Sequence, residues 1–272
     1  MLRTRVITAV LLLAVFLPSL FFLPQVGWAV FVAVIAGIGA WEWGGFMQVG
    51  RYFRVGLGVT LSAICLALLG FFPQWFGALD HPFAPFGSIV LHASAALFWL
   101  LLVPFWLHCK WRLTGFLGVM VGLLVLLPAW AALVQLRTLG PWQLLTILAL
   151  VWVADSAAYF FGSHFGRHKL AVTISPGKTW EGALGAAVTV LVYGLVMRQV
   201  FGLDDSPLWL WLLGLPVMTA LSIVGDLFES LLKRQAGLKD SSNILPGHGG
   251  VLDRIDSQTS TLPLLMAALI LL

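Results

Sequence analysis

The residues Phe116–Gln135, FLGVMVGLLVLLPAWAALVQ, contain no charged side chain and decide the class of fold. A helix needs about 20 apolar residues to cross a bilayer, and within lipid its backbone groups must pair internally. Similar runs recur along the chain, which is 60% apolar and 10% charged, with a mean hydropathy of +1.00. Soluble domains average about 25% charged residues. The composition therefore predicts an all-α, polytopic integral membrane protein.

Nine runs have the length and composition of transmembrane helices. They are Val6–Leu23, Val26–Met47, Gly56–Phe72, Ile89–Leu107, Phe116–Gln135, Trp142–Phe161, Trp180–Phe201, Pro207–Leu232 and Asp253–Leu272. The first run follows Arg3 and Arg5 but lacks a convincing small-residue cleavage site, so we predict a retained helix and not a signal peptide. An alternative is that the first two runs form one re-entrant pair.

The basic residues predict how the helices are oriented. If the N-terminus is cytoplasmic, every Lys and Arg except Arg137 and Arg198 falls in a cytoplasmic segment, as the positive-inside rule requires. The net charge of +4 is then explained by orientation, and we expect no nucleic-acid partner. The short loops favour a bacterial inner membrane. The loop that contains Asp80 and His81 would be a solvated outward connection.

Nine charged residues are concentrated in one C-terminal stretch, residues 225–256, GDLFESLLKRQAGLKDSSNILPGHGGVLDRID. Its charged residues are Asp226, Glu229, Lys233, Arg234, Lys239, Asp240, Asp253, Arg254 and Asp256. In a chain with so few charges, this concentration indicates a functional site, and the predicted topology places it on the cytoplasmic side.

The first part of this stretch has the pattern of a helix with two unlike faces. At about 100° per residue, its polar side chains from Asp226 to Arg234 fall within an arc of about 140°. The opposite face carries Leu227, Phe228, Leu231 and Leu232. An ordinary amphipathic exit helix is one interpretation. Asp226 favours a site, because a carboxylate at the foot of an apolar run usually binds an ion or a partner.

The second part combines a glycine-rich turn with the start of the last helix. The backbone amides around His248 could approach a phosphate, and His248 itself could be a base, a phosphate donor or a turn residue. Asp253 could be a simple N-cap. Alternatively, Asp226, Asp253 and Asp256 converge, and three hard oxygen donors suit Mg²⁺. The basic residues available for polyphosphate are Lys233, Arg234, Lys239 and Arg254.

Two further patches carry polar groups near the membrane. Asp155 is a carboxylate within the sixth run and is a functional candidate by default. The segment Ser175–Gly182, SPGKTWEG, opens the seventh helix, where backbone amides and Lys178 offer an anion site. Glu181 could instead simply complement the helix dipole. For Glu42, the acidic residue within the N-terminal runs, we predict a packing or interfacial role.

At these residues the chain resembles a known family. The string S-x-x-K-R-x₄-K-D-x-S-x-x-L-P-x-H-G-G-V-x-D-R-I-D, from Ser230 to Asp256, resembles over its full length the signature of the phosphatidate cytidylyltransferases (CDP-diacylglycerol synthases). The SPGKTWEG segment and the helix of Asp155 are similar to that family's other recurrent patches. One departure is Gly177, where many members carry a second Lys.

The resemblance implies that CTP and phosphatidic acid react to give CDP-diacylglycerol and pyrophosphate, with the lipid phosphate attacking the α-phosphorus. It implies Mg²⁺ as cofactor, with two cation sites, of which the second could hold another cation. It assigns metal binding to Asp226, Asp253 and Asp256. The other catalytic candidates are Lys233, Arg234, Lys239, Asp240, His248 and Arg254, and the nucleotide-binding candidates are Asp155, Ser175, Lys178, Thr179 and Glu181.

Two alternatives remain open from the residues. One is another CTP-dependent membrane lipid enzyme of the dolichol kinase type, and the other is a cation-coupled transporter that uses Asp155 and Asp226. For the architecture, we expect residues 141–272 to form the catalytic region, in contact with membrane lipid. Residues 1–140 would supply packing and a possible homodimer interface.

Overall fold

The computed structural model describes residues 2–76 and 85–271, and it confirms an all-α architecture. The predicted loop with Asp80 and His81 lies outside the described residues. The helices are α1 Leu2–Phe22, α2 Gln25–Phe46, α3 Arg51–Phe71, α4 Pro85–Leu97, α5 Val103–Cys109, α6 Gly115–Leu136, α7 Pro141–Phe165, α8 Trp180–Val200, α9 Leu208–Gln235 and α10 Leu252–Leu271. A π-helical turn, Phe98–Leu102, joins α4 to α5, and short 3₁₀ turns span Pro73–Phe76 and Arg137–Leu139.

Eight helical segments in the described ranges are long and apolar enough to cross a membrane, and α4 and α5 together form one of them. Since α1 and α2 each qualify separately, the structure favours two spans over one re-entrant pair. The ninth predicted run, Asp253–Leu272, corresponds to α10, which is helical but is not among the eight. Its first half is too polar for contact with lipid.

The polar half of α10 is buried within the bundle, against α9. Residues 257–263 are all buried. The hydroxyl of Ser257 donates to the carbonyl of Ser222 (3.2 Å), and the hydroxyl of Ser260 donates to the carbonyl of Leu221 (2.8 Å). These hydrogen bonds pair groups that would be costly to leave unpaired in an apolar interior.

A small β-hairpin before α8 is a feature that the sequence analysis missed. Its strands are β1 Lys169–Ala171 and β2 Ser175–Thr179, which pair antiparallel with Lys169 opposite Thr179. A pair of this size is marginal in isolation, so it depends on the helices that flank it. The hairpin places the SPGKTWEG segment beside α7 and α9.

The apolar face predicted for α9 is confirmed. All four of its side chains are buried, and Phe228 retains 1% of its exposure. The ring of Phe228 makes edge-to-face contacts with Phe98, Trp99 and Trp106, at centroid distances of 5.6–5.9 Å. A single core therefore joins the N-terminal helices to α9. This packing fixes the rotation of α9 and so the direction in which its charged face points.

Candidate active site

Three predicted carboxylates come together where α7, α9 and α10 meet. Asp226 and Asp155 are both charged neighbours of Asp256, and Asp226 is also the first charged neighbour of Asp155. The close approach depends on Gly225, since a Cβ there would lie 2.5 Å from the hydroxyl of Ser260 on α10. A larger residue at this position would push the two acidic helices apart.

Lys178 joins the SPGKTWEG segment to this acidic group. Its Nζ lies 2.7 Å from Oδ2 of Asp226, while the hydroxyl of Ser230 donates to Oδ1 of the same carboxylate at 3.1 Å. Lys178 and the exposed Arg254 are also positively charged neighbours of the Asp155 carboxylate. Residues from three distant parts of the sequence thus form one charged cluster, as the sequence analysis predicted.

Asp253 forms a second centre, which ties α9 to the loop before α10. Its Oδ1 lies 2.6 Å from Nζ of Lys233, which also contacts Oε1 of Glu229 at 3.1 Å. Its Oδ2 accepts hydrogen bonds from the amide and hydroxyl of Ser241 and from the amide of Gly250, at 2.8–2.9 Å. The side chain of Asp253 is 5% exposed.

The interpretation of Asp253 as the N-cap of α10 is wrong. The helix begins at Leu252, so Asp253 lies inside it. Its carboxylate accepts from the preceding loop, at Ser241 and Gly250, and not from the amides that follow it. Asp253 therefore fastens the loop to α9 through Lys233.

The predicted glycine-rich turn contains two left-handed residues, with φ of +77° at Gly247 and +82° at Gly249. The amide of Leu245 donates to the carbonyl of Gly249, and the amide of His248 donates to the carbonyl of Leu245, which closes the turn. The amide of Gly250 is already bonded to Asp253. This part of the turn is therefore held by the protein's own groups.

Several nucleotide-binding candidates have structural contacts in the hairpin. The hydroxyl of Thr179 accepts from the amide of Gly182 (3.1 Å), which makes Thr179 the N-cap of α8. Glu181 accepts from the amide of His168 at 3.2 Å and contacts its Nδ1 at 2.7 Å, a partner that the sequence analysis missed. Ser175 begins β2, opposite Ala171. These contacts shape the segment that carries Lys178.

The remaining candidates, Arg234, Lys239 and Asp240, are exposed on the loop side of α9. His248 is partly buried, and its Nδ1 has no hydrogen-bond partner within the described residues. The structure gives these side chains access to a ligand but does not place them in the carboxylate cluster. Their predicted roles therefore stay predictions.

The prediction of a metal site rests on the carboxylate side chains that could bind an ion, and not on an arrangement of ligands that is already formed. Within residues 2–76 and 85–271, no three His, Cys, Asp or Glu side chains form a ready-made metal site. Asp155, Asp226 and Asp256 nevertheless lie near one another, and their oxygen atoms are the kind of hard donor that Mg²⁺ prefers. Asp253 fits less readily, since Lys233 and the loop already occupy both of its oxygens.

A residue from the N-terminal half also reaches the site, which the sequence analysis did not anticipate. Glu42 on α2 has no exposed surface, so of the predicted packing or interfacial roles the structure favours a buried one. Its carboxylate accepts four hydrogen bonds from residues 241–252. The available signal was the cost of an acidic residue within an apolar run, which usually marks a specific partner.

The model of the cytidylyltransferase family matches residues 3–272. The chain belongs to that family. Its members include a phosphatidate cytidylyltransferase of Pseudomonas aeruginosa, which is 40% identical over 99% of this chain and 97% of its own length. The protein of the same name from Haemophilus influenzae is 33% identical over 97% of this chain and 96% of its own length.

A further member matches over a shorter region. The phosphatidate cytidylyltransferase of Staphylococcus saprophyticus is 44% identical over 51% of this chain and 53% of its own length. The family resemblance inferred from residues 230–256 is therefore confirmed, and for the first two relatives it extends over nearly the whole chain.

Proposed function

We propose that the protein is a phosphatidate cytidylyltransferase, which converts CTP and phosphatidic acid into CDP-diacylglycerol and pyrophosphate. The ion pair between Lys178 and Asp226 carries the proposal, because it joins the SPGKTWEG segment to the signature helix α9 at 2.7 Å. The full-length similarity to proteins of that name supports the same reaction.

The chemistry needs charge and alignment more than it needs a base. A phosphate oxygen of the lipid attacks the α-phosphorus of CTP, and the bond from that phosphorus to the bridging oxygen of pyrophosphate breaks. The nucleophile is already an anion, so the groups required are cations that offset charge and hold two phosphates in line. The contact of Lys178 with Asp226 supports this role for Lys178, and the exposed Arg234, Lys239 and Arg254 are further candidates for binding phosphate.

Lys233 has a different part in the proposal. It is 12% exposed and pairs with two carboxylates, Glu229 and Asp253. The positive charge of Lys233 is therefore already paired with carboxylates of the protein. We assign Lys233 to holding Asp253 and the loop in place, and the more exposed basic residues to the phosphates.

Magnesium dependence is part of the proposal. Asp226 and Asp256 are the proposed ligands, with Asp155 beside them, and the family resemblance adds Asp253. When bound, the ion would act as a Lewis acid that offsets negative charge on the phosphates. The excess of carboxylates over lysines in the cluster supports a cation there. A second cation site and a homodimer remain predictions from the sequence.

The proposed location is the bacterial inner membrane, with the site facing the cytoplasm. Eight apolar helical segments in the described ranges and bacterial relatives support an integral membrane protein. The cytoplasmic orientation rests on the distribution of basic residues. It agrees with a substrate, CTP, that is made inside the cell.

The test follows radioactive phosphorus into lipid. Purified full-length protein in detergent receives phosphatidic acid, Mg²⁺ and CTP labelled at the α-phosphate, and extracted lipid is counted. We expect label in lipid, none from γ-labelled CTP, and loss of the reaction with EDTA. Label from the γ-phosphate alone would indicate a lipid kinase. No label from either position in folded protein would contradict the proposal and favour transport.

A pair of matched variants tests the carboxylate cluster. Asp226→Asn removes a charge that is paired with Lys178 at 2.7 Å, and Asp204→Asn removes one that is paired with Arg198 at 3.0 Å, outside the site. We expect Asp226→Asn to lower kcat by at least about 100-fold, as expected for a group that aligns reacting phosphates, and Asp204→Asn to match wild type. Near-normal turnover of Asp226→Asn would overturn its assignment.

A further inference from the structure

Glu42 is a buried carboxylate that binds the signature loop from the other half of the chain. Its Oε1 accepts from the hydroxyl of Ser242 (2.6 Å) and the amide of Val251 (2.9 Å). Its Oε2 accepts from the amide of Leu252 (2.7 Å) and the hydroxyl of Ser241 (3.2 Å). With 0% exposure, Glu42 depends on these four donors for its hydrogen bonds.

The position of Glu42 explains how its charge is tolerated. Leu252 is the first residue of α10, and its amide and that of Val251 point at the carboxylate. A helix N-terminus carries a partial positive charge and amides that have no partner within the helix. Glu42 thus supplies from α2 the acceptor that a local N-cap residue normally provides.

Ser241 connects Glu42 to the candidate active site. Its hydroxyl lies 3.2 Å from Oε2 of Glu42 and 2.9 Å from Oδ2 of Asp253, and its amide also donates to Asp253 at 2.8 Å. The single hydroxyl proton can serve only one of these carboxylates at a time. Asp253 in turn contacts Lys233 at 2.6 Å. A short chain of polar contacts therefore runs from α2 to α9.

The loop packs closely against Glu42 and is also bound by α1. A Cβ at Gly250 would overlap both Oε1 of Glu42 and the hydroxyl of Ser241, so the loop can approach Glu42 only with glycine there. The hydroxyl of Thr8 on α1 donates to the carbonyl of Pro246 at 2.9 Å, which gives the loop a second N-terminal contact.

We propose that Glu42 is a positioning residue for the cytidylyl transfer. It fixes the 241–252 loop and the start of α10, and through them the carboxylates of Asp253 and Asp256. Glu42 contacts neither the carboxylate cluster nor Lys178, so it acts through Ser241 and the α10 N-terminus. The expected effect of Glu42 on cytidylyl transfer rests on the proposed function. Its expected effect on the order of the 241–252 loop does not.

The decisive variant is Glu42→Gln, which preserves the shape of the side chain. Each carboxylate oxygen accepts from one backbone amide, Val251 on Oε1 and Leu252 on Oε2. A Gln amide has one acceptor oxygen, so in either orientation its NH₂ faces one of these N–H groups. Glu42→Asp keeps two acceptor oxygens on a shorter side chain. Because the amides of Val251 and Leu252 require two acceptor oxygens, we expect Glu42→Asp to have a higher kcat/KM than Glu42→Gln.

The matched control is Gln135→Met, which also removes a buried polar group from the N-terminal half. Gln135 is 0% exposed and bonds to His92, Ser88 and the carbonyl of Trp75. It lies on α6 roughly 25 Å along the helix from Gly118, whose carbonyl accepts from the indole of Trp43, the residue after Glu42. A general loss of stability would affect both variants.

Two measurements on the full chain in detergent test the inference. Hydrogen–deuterium exchange without ligand should show exchange in residues 241–252 at least about tenfold faster in Glu42→Gln than in wild type, with no such local change in Gln135→Met. In the CTP assay, Glu42→Gln should lose about 100-fold in kcat/KM, the effect expected when a catalytic group is misplaced by about 1 Å. Gln135→Met should stay within about threefold of wild type.

The outcomes separate the inference from the proposed function. Wild-type exchange and wild-type kcat/KM in Glu42→Gln would overturn the positioning role, because packing alone requires only the shape of the side chain. If Glu42→Gln does not fold, Glu42→Asp decides, and faster exchange of residues 241–252 together with wild-type kcat/KM in that variant overturns the inference. If wild type transfers no cytidylyl group, the proposed function fails, while the exchange result still reports on the Glu42 contact.

Discussion

Replacing Lys233 by Met should unfold the protein at a distinctly lower temperature. Nζ of Lys233 lies 2.6 Å from Asp253 and 3.1 Å from Glu229, and the three side chains are 12%, 5% and 7% exposed. Met has a similar length but no charge. The substitution therefore leaves two buried carboxylates without their shared cation.

The size of the effect follows from this burial. Removing one partner from a buried ion pair typically costs about 3–5 kcal/mol, because the remaining charge is left uncompensated. At about 2–4 °C per kcal/mol for chains near this size, Tm should fall by about 10 °C. The control is Asp204→Asn, which breaks an ion pair with Arg198 whose carboxylate is 65% exposed. Exposed pairs contribute about 1 kcal/mol or less, so its Tm should fall by only a few degrees.

The assay is thermal unfolding in one detergent, followed by tryptophan fluorescence, with the double variant Lys233→Met/Glu229→Gln as a second comparison. Removing the charge of Glu229 takes away one of the two uncompensated carboxylates, so the double variant should regain about half of the lost stability. A Tm for Lys233→Met as high as that of Asp204→Asn, or no recovery in the double variant, would refute this account of the buried pair.

Three more outcomes follow from the packing and the surface. Phe228→Ala should cost about 3–5 kcal/mol in thermal unfolding, because a ring that is 1% exposed leaves a cavity. Gly225→Ala should lower turnover and Tm together, since its Cβ would lie 2.5 Å from the hydroxyl of Ser260, and Gly214→Ala, with open space around it, is the control. His168→Ala should reduce stability by only about 1 kcal/mol or less, because its contact with Glu181 is exposed.

Each outcome has a contrary result. A Tm within about 2 °C of wild type for Phe228→Ala would mean that the aromatic core can collapse around the gap, a relaxation that limits cavity costs. Normal turnover in Gly225→Ala would show that α9 and α10 can separate without harm to the site. A large loss of stability in His168→Ala would mean that the hairpin supports more of the bundle than its exposed contact indicates.

The sequence predicted those features that depend on local patterns. Apolar runs gave the helices, and the 3.6-residue period correctly separated the buried face of α9, with Phe228, from its charged face. Asp226 and Lys178 were each identified as site candidates from their local sequence, although their direct contact was not predicted. Such signals are contained in neighbouring residues and need no knowledge of the tertiary fold.

The features that were missed depend on contacts between distant residues. Glu42 bonds to Leu252, 210 positions away, and no periodicity links the two. The N-cap interpretation of Asp253 failed for the same reason, since the acceptor at the start of α10 comes from another helix. The β1–β2 hairpin was missed because its strands are too short to show an alternating pattern.

The contact between Glu42 and Leu252 also has a consequence for biosynthesis. Glu42 is made early, and its four hydrogen-bond donors lie in residues 241–252, near the end of the chain. At about 5–20 residues per second, the ribosome needs about 10–40 s to add the intervening residues. The hydrogen-bond donors of this buried carboxylate therefore become available only after the start of α10 has been translated.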